Sequence, residues 1–345
     1  MLRADMDALP VQEDTGLPYA SKVTATDREG KSVPVMHACG HDMHVTWLLG
    51  ATTLFGKARE AWRGTLMAVF QPAEETASGA QAMIDDGLFK RFPKPDIILG
   101  QHVMMGLSGV LQCRPGVMTS AGDSLQVRLF GYGAHGSMPQ ASIDPVVMAA
   151  ATVLRLQTIV SREIAPTEGA VVTVGSLQAG SKENVIPDEA LLKLNVRTFD
   201  ENVRKRILAA IKRIIDSEAS GAPKPPEISP IDRYPLLVND PGATNRVVDS
   251  FRSHFPDNRV QEIEQPASAS EDFGLFGSEW HVPSVFWFVG GTDPEIYAKA
   301  QKAGLIEEIP TNHNPCFAPV IHPTLETGVE ALVCAAGAWL SSSSS

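Results

Sequence analysis

Short apolar runs that end abruptly in carboxylates and imidazoles constrain this chain more than any other feature. Leu66-Met67-Ala68-Val69-Phe70 runs straight into Gln71-Pro72-Ala73-Glu74-Glu75, and Asp96-Ile97-Ile98-Leu99 runs into Gly100-Gln101-His102. Uninterrupted apolar runs of strand length suit strands covered on both faces, as in parallel sheets flanked by helices. Val45, Leu48, Leu49, Thr52 and Phe55 form the stripe of such a helix, which Met36-His37-Ala38-Cys39-Gly40-His41-Asp42 opens. In open α/β sheets ligands bind in the crevice beyond the carboxyl ends of the strands. The polar residues therefore fall where chemistry is expected.

From about Gly116 the texture changes to longer, alternating strands at Ser124 to Phe130, Ala170 to Leu177 and Ala190 to Thr198. Helices are predicted near Pro145 to Val160 and Glu201 to Ser217. The Gly221-Ala222-Pro223-Lys224-Pro225-Pro226 stretch is a break before a strand near Glu227 to Ile231. Pro235 onward returns to helix-strand alternation, with Ser284 to Val289 as another buried strand. The expected organisation is an α/β domain, with a mixed, mostly parallel sheet and helices on both faces, interrupted by an inserted α+β domain. The boundaries are 1–115, 116–233 and 234–340, followed by a disordered serine tail at 341–345.

Bulk properties narrow the function. At 345 residues and 43% hydrophobic composition the chain can fill two cores. It contains no run approaching the roughly 20 apolar residues of a membrane span, and its start lacks a basic region followed by an apolar one. A cytoplasmic address is the expectation. A net charge of -11 with dispersed basic residues opposes nucleic-acid binding. The 4 cysteines, Cys39, Cys113, Cys316 and Cys334, are scattered and do not form a disulfide framework.

Cys39, His41, Glu74, Glu75, His102 and, in Thr311-Asn312-His313-Asn314-Pro315, His313 offer one cleft a set of thiolate, imidazole and carboxylate donors. Such a set suits divalent transition ions and permits a pair of them about 3.5 to 4 Å apart, an arrangement suited to hydrolysis. Each residue alone has an ordinary reading. Glu74-Glu75 behind Pro72 suits a helix start, Cys39 a small apolar group, and His41, His44 and His102 packed or capping histidines. Their coincidence at successive strand ends favours a metal site.

Leu2-Arg3-Ala4-Asp5-Met6-Asp7-Ala8-Leu9-Pro10, Met36-His37-Ala38-Cys39-Gly40-His41-Asp42, Phe70-Gln71-Pro72-Ala73-Glu74-Glu75, Gly133-Ala134-His135-Gly136 and Asn184-Val185-Ile186-Pro187-Asp188 resemble the aminoacylase and hippurate hydrolase family. That family includes the plant hydrolases of auxin-amino-acid conjugates and is related to carboxypeptidase G type enzymes. The resemblance runs in order over essentially the whole chain. It implies cleavage of small N-acyl amino acids by two divalent ions per subunit (Mn2+ or Zn2+, with Co2+ or Ni2+ as alternatives). Cys39, His41, Glu75, His102 and His313 match the ligands, Glu74 the general acid/base, and Asp7 a carboxylate that orients a ligating imidazole. The inserted domain is then a ferredoxin-like dimerisation domain forming a homodimer, and His135 reaches the partner's site. Asn184 and Arg197 match positions that bind the substrate's polar end.

In the family an opening helix and strands precede the Leu2 motif, so the expectation is a catalytic domain lacking its N-terminal part, for which a misplaced start site is the simpler explanation. Two rivals stand beside the main reading: a dipeptidase or carboxypeptidase on the same scaffold, and a truncated, non-catalytic metal-binding dimer. The spare carboxylate of Glu74 opposes the second, because a structural site is closed by its ligands.

Overall fold

The structure is a computed structural model describing residues 1–27 and 30–340, so the serine tail lies outside the described residues. Along the chain come β1 (Leu2–Asp5), α1 (His41–Lys57), β2 (Ala68–Gln71), α2 (Gly79–Asp85), β3 (Ile98–Leu107) and β4 (Leu111–Cys113). A middle segment carries β5 (Ala121–Phe130), α3 (Pro145–Thr158), β6 (Ala170–Ala179), β7 (Glu189–Thr198), α4 (Glu201–Glu218) and β8 (Glu227–Tyr234). The last segment carries α5 (Pro241–Arg252), β9 (Val260–Glu262), α6 (Gly274–Trp280), β10 (Ser284–Thr292), α7 (Pro294–Ala303) and α8 (Thr324–Leu340). No helix among the described residues is long and apolar enough to cross a membrane.

The chain divides into two compact units. Unit 1 comprises Met1–Met118, Val238–Pro266 and the chain from Asp272 onward, and unit 2 comprises Thr119–Leu237 with Ala267–Glu271. Unit 1 is built on a sheet of order β9-β4-β10-β3-β1-β2. Every neighbouring pair is parallel except β4 with β10. Both faces of this sheet are covered. On β3, the Gln101 amide donates to the Gly328 carbonyl of α8 at 2.8 Å, whereas a Cβ at the adjacent Gly100 would meet Phe273, just before α6. Consecutive strand residues point to opposite faces, so α1, α5 and α8 lie on one side and α6 on the other. This agrees with the mixed, mostly parallel α/β architecture expected from the apolar runs.

Two local readings change. His102 lies inside β3 instead of beyond its end, because Ser284 to Val289 of β10 pair with Ile98 to Val103 and carry the strand past the apolar run. The buried face of α1 is His41, Met43, His44, Trp47, Leu48, Ala51 and Phe55, with Leu49 exposed and Val45 only partly covered. Tertiary contact selects this face: Trp47 packs against α8 and donates its indole N–H to the Thr324 carbonyl at 3.0 Å.

Unit 2 is an antiparallel sheet of order β6-β7-β5-β8 with α3 and α4 over one face. Alternation sorts β7 cleanly. Ala190, Leu192, Leu194 and Val196 enter the core with Ile207, Ile211 and Ile214 of α4, while Lys193, Asn195 and Arg197 face away. Fully burying each such aliphatic side chain contributes about 1.5–3 kcal/mol. Asp144 and Asp200 cap α3 and α4 by accepting from the backbone N–H groups of their first turns.

The closest helix packing in unit 1 generates a prediction. A Cβ on Gly328 would lie 2.2 Å from the Trp47 ring, whereas Gly337 on the same helix faces open space. Gly328→Ala is expected to destabilise the protein by about 1–3 kcal/mol through overpacking. Gly337→Ala should stabilise it by roughly 0.5–1 kcal/mol through helix propensity. Denaturant midpoints of the two variants check the pair; equal midpoints would refute the packing account.

Candidate functional site

The site is assembled by the segments that follow β1 and β2, the turn that opens α1, β3 itself and the loop that carries His313. Gly40 has a φ of +78°, and a Cβ there would lie 2.3 Å from Val103 Cγ1, so only glycine turns the chain this tightly into α1. The turn places Cys39 and His41 against β3. Cys39 Sγ lies 3.5 Å from His102 Nε2 and 3.2 Å from His313 Nε2, and His313 Nε2 lies 3.3 Å from Glu75 Oε1. Cys39, Glu75 and His313 each present a ligand atom within 4.8 Å of the others, as do His41, Glu74 and Glu75. Glu75 belongs to both groups.

Hydrogen bonds at Nδ1 set the tautomer of two of the imidazoles. His41 Nδ1 donates to Asp7 at 3.1 Å, and His102 Nδ1 donates to the Val103 carbonyl at 2.7 Å. In both rings Nε2 is left facing the cluster, the arrangement in which an imidazole coordinates a metal. Asp7 also accepts the Glu75 backbone N–H at 3.0 Å, so one carboxylate orients two of the candidate ligands.

Glu74 and Glu75 do not start a helix. They sit in a tight turn in which Ala77 N–H donates to the Glu74 carbonyl, and α2 begins only at Gly79. The turn folds back so closely that a Cβ on Gly79 would lie 1.6 Å from the Pro72 carbonyl oxygen. Ala73 and Ala77, flanking the pair, have φ of +53° and +50°, and His313 has +72°. Non-glycine residues in this region are strained, and surrounding structure has to hold them there.

The electrostatics call for cations. Burial pushes the Cys39 thiol well above its ordinary value, and Glu75, Glu74 and Asp5 push it further. Burial opposes charge on His41, yet Asp5, Asp7 and Glu75 outweigh it and raise its pKa to about 9. Burial also disfavours ionisation of Glu75, but His313 and His41 hold it below the usual carboxylate range. His41 Nε2 and Glu75 Oε1 are buried without a partner in hydrogen-bond geometry. A concentrated negative field, two orphaned donor atoms and a mixed thiol, imidazole and carboxylate set fit divalent transition ions.

Several residues that matter here escaped the sequence reading. Arg3, on β1, donates to Gln71 at 2.8 Å, to Asp5 at 2.7 Å and to Asp272 at 3.1 Å, all of them buried. Gln71 donates to both Asp272 oxygens, at 2.6 and 2.8 Å. Asn312 donates to the Cys39 carbonyl at 3.2 Å and to the Val103 carbonyl at 3.0 Å, tying the His313 loop to the cluster. The one available signal was a charge on each side of Ala4 within an apolar stretch, since charges buried in a strand must be paired.

The remaining predicted residues belong to unit 2. His135 is exposed on a short strand pairing His135 with Val185, and its Nδ1 accepts from Ser137 N–H at 3.1 Å and from the Ser137 hydroxyl at 2.8 Å. With Nδ1 accepting, Nε2 is the nitrogen of this ring left to act as a donor. Asn184, also exposed, accepts the Gly136 N–H through its backbone at 2.7 Å. Arg197 donates to Asn195 at 3.1 Å and to the Ser270 hydroxyl at 2.7 Å.

The chain is 39% identical over 276 residues to the hippurate hydrolase of Campylobacter jejuni, covering 80% of this chain and 69% of that protein. It is 36% identical over 291 residues to the N-acetyl-L-cysteine deacetylase of Bacillus subtilis, covering 84% of this chain and 66% of that protein. It thus spans about two thirds of the length of these relatives. The solved structure of a Bacillus subtilis dinuclear metal binding peptidase from the M20 family superposes with a TM-score of 0.71 at 28% identity, over 97% of this chain and 79% of that one. Residues 1–335 match the model of peptidase family M20/M25/M40, and the chain belongs to that family.

Proposed function

We propose that this protein hydrolyses the amide bond of N-acyl amino acids to a carboxylic acid and a free amino acid, using two divalent ions. One observation carries the reading: Glu74, 5% exposed, presents a carboxylate oxygen within 4.8 Å of ligand atoms of His41 and Glu75, while Cys39, His41, Glu75, His102 and His313 match the ligand set that the resemblance implies. A buried carboxylate beside the ligands is a group that a hydrolase can use for proton transfer. The hippurate and N-acetylcysteine specificities of the two relatives support the N-acyl amino acid class.

In this mechanism those five side chains would hold the two ions, which when bound would supply Lewis acidity for the scissile carbonyl and lower the pKa of the attacking water. The mixed donor set suits Zn2+, through thiolate and imidazole, or Mn2+, through carboxylate, with Co2+ or Ni2+ as alternatives. Glu74 accepts the proton of the water and returns it to the leaving amine. His135, contributed by a second copy, donates from Nε2 to the oxyanion that develops on the carbonyl, a role worth about 3–4 kcal/mol in comparable sites. Arg197 and Asn184 hold the free carboxylate of the amino acid. Unit 2 supports a homodimer by exposing apolar side chains on one helix and one edge strand: Val147 and Leu154 on α3, Val171 and Leu177 on β6. A cytoplasmic address, where thiols stay reduced, suits the free Cys39.

Glu74→Gln is expected to lower turnover of N-acetyl, N-benzoyl and indole-acetyl amino acids by about 10²–10⁴-fold with metal content near normal. Glu75→Gln should lose metal. Metal analysis beside a substrate panel that includes dipeptides checks both, and a preference for dipeptides would favour the peptidase alternative.

Cys39 is expected to resist alkylation until a chelator strips the metal, as a coordinated thiolate is occupied. Cys113, Cys316 and Cys334 should label independently of metal. Peptide mapping after alkylation, with and without chelator, reads the difference, and equal labelling of Cys39 would remove it from the site.

His135→Ala and Glu74→Gln are each expected to be inactive, yet mixing them should restore activity, because a mixed dimer holds one site with both residues intact. Free exchange makes half the dimers mixed, so recovery should approach about a quarter of wild type. Demonstrated heterodimers without activity would mean that His135 acts within its own chain or not at all.

A further inference from the structure

His44 stands in the midst of the candidate ligands, with its ring centroid 5.2 Å from that of His41 and 4.4 Å from that of His102. One of its nitrogens lies within 4.8 Å of ligand atoms of Asp5, His41 and His102. By proximity alone it would be a ligand. Its hydrogen bonds give it another task. His44 Nδ1 donates to Asp5, and His44 Nε2 accepts the Val103 backbone N–H at 2.9 Å. The ring is 1% exposed and stacks on Trp47 at a centroid distance of 5.3 Å, so it has neither a free nitrogen nor room to turn.

The Val103 peptide has a particular need for this partner. β1 pairs with β3 only through Leu2 and Arg3, opposite Leu99 and Gly100, whereas β3 continues to Leu107. Beyond Gly100, β3 therefore carries backbone groups with no β1 partner, and a buried backbone N–H without an acceptor is costly. The same residue's carbonyl accepts from His102 Nδ1 at 2.7 Å and from Asn312 at 3.0 Å. Whatever fixes this segment of β3 also fixes the tautomer of His102 and the seat of the amide beside Cys39.

We propose that His44 is a positioning residue of the metal centre and not a ligand: through Nε2 it holds the Val103 segment, whose carbonyl orients His102 and anchors Asn312 next to Cys39. This rests on the reading of His102 as a ligand. Asp5 completes the device from the other side, because its acceptance of Nδ1–H leaves Nε2 as the acceptor that Val103 requires.

Two conservative variants separate the roles. His44→Asn keeps an amide N–H toward Asp5 but removes the acceptor for Val103. His44→Gln places an amide oxygen near the position of Nε2. In the full chain, His44→Asn is expected to weaken Zn2+ and Co2+ binding, measured by chelator competition, by about 10–100-fold, and His44→Gln to recover most of that loss. Unfolding midpoints in chelator should be alike for the two variants. In wild-type protein loaded with ¹¹³Cd and labelled with ¹⁵N-histidine, cadmium should couple to Nε2 of His102 and not to His44, and the Val103 amide should couple across its hydrogen bond to His44 Nε2. This spectrum decides the matter even if His44→Asn fails to fold. Coupling of ¹¹³Cd to His44, or wild-type metal affinity in a folded His44→Asn, would overturn the proposal while leaving the metal site intact. Absence of coupling to every histidine would overturn both.

Discussion

The geometry of the site depends on one buried charge. Asp5 is fully buried at the end of β1, and burial opposes its ionisation, yet Arg3, His44 and His41 outweigh that cost and hold it well below the usual carboxylate range. Arg3 is buried with it, and shares its remaining donors between Gln71 and Asp272. A buried ion pair is a poor source of net stability, because desolvation consumes most of the Coulombic gain, but breaking one is expensive. Every partner in this network is therefore held in place, and with them the strand ends from which the catalytic loops depart. Asp272 extends the grip by accepting the backbone N–H of Ala80 at 3.0 Å, which anchors α2 and the turn carrying Glu74 and Glu75.

Next to this compensated network lies an uncompensated one. Asp7, Glu74 and Glu75 surround a thiol, whose ionisation Glu74 and Glu75 resist, and the His41 imidazole, whose protonation Asp7 and Glu75 favour. The contrast is chemical. The first network contains its own cation, the Arg3 guanidinium, and is complete. The second has none of comparable permanence and leaves His41 Nε2 and Glu75 Oε1 unsatisfied. An environment that raises the pKa of a thiol is one in which only added positive charge makes that thiol a ligand. Backbone strain at Ala73, Ala77 and His313 flanks the same cluster, as is common where structure is organised for function instead of stability.

Unit 2 follows simpler physics. Its strict alternation places Leu192, Leu194 and Val196 on one face of β7 and Asn195 and Arg197 on the other, so a polar surface survives on the sheet face that the helices do not cover. Asp123 and Arg204, a buried pair with N–O distances of 2.8 Å, fix α4 against β5. The expected strands and helices here match the structure closely, since an antiparallel sheet with one covered face writes its period into the sequence.

How much was legible depended on whether a residue's role was local. The apolar runs of β2, β3 and β10, the alternation of β7 and the positions of α3 and α4 follow from short-range pattern, and the sequence by itself determined the two-part architecture. It also determined the chemical inventory, because a thiol, imidazoles and paired carboxylates at successive strand ends form a donor set that packing alone does not require. Tertiary structure alone decided that Trp47 and His44 face inward on α1 while Leu49 does not, since Trp47 meets Thr324, 277 residues further along the chain, and His44 meets Val103. It alone decided how the Glu74-Glu75 turn is held, because Asp7 and Asp272, distant in the chain, accept the backbone N–H groups of Glu75 and Ala80. And it alone paired Arg3 with Asp272 and gave His44 to Val103, contacts with sequence separations of 269 and 59 that no periodicity encodes. Period and composition report what each residue needs, whether burial, a partner or a charge, whereas only the folded chain determines which distant group meets that need.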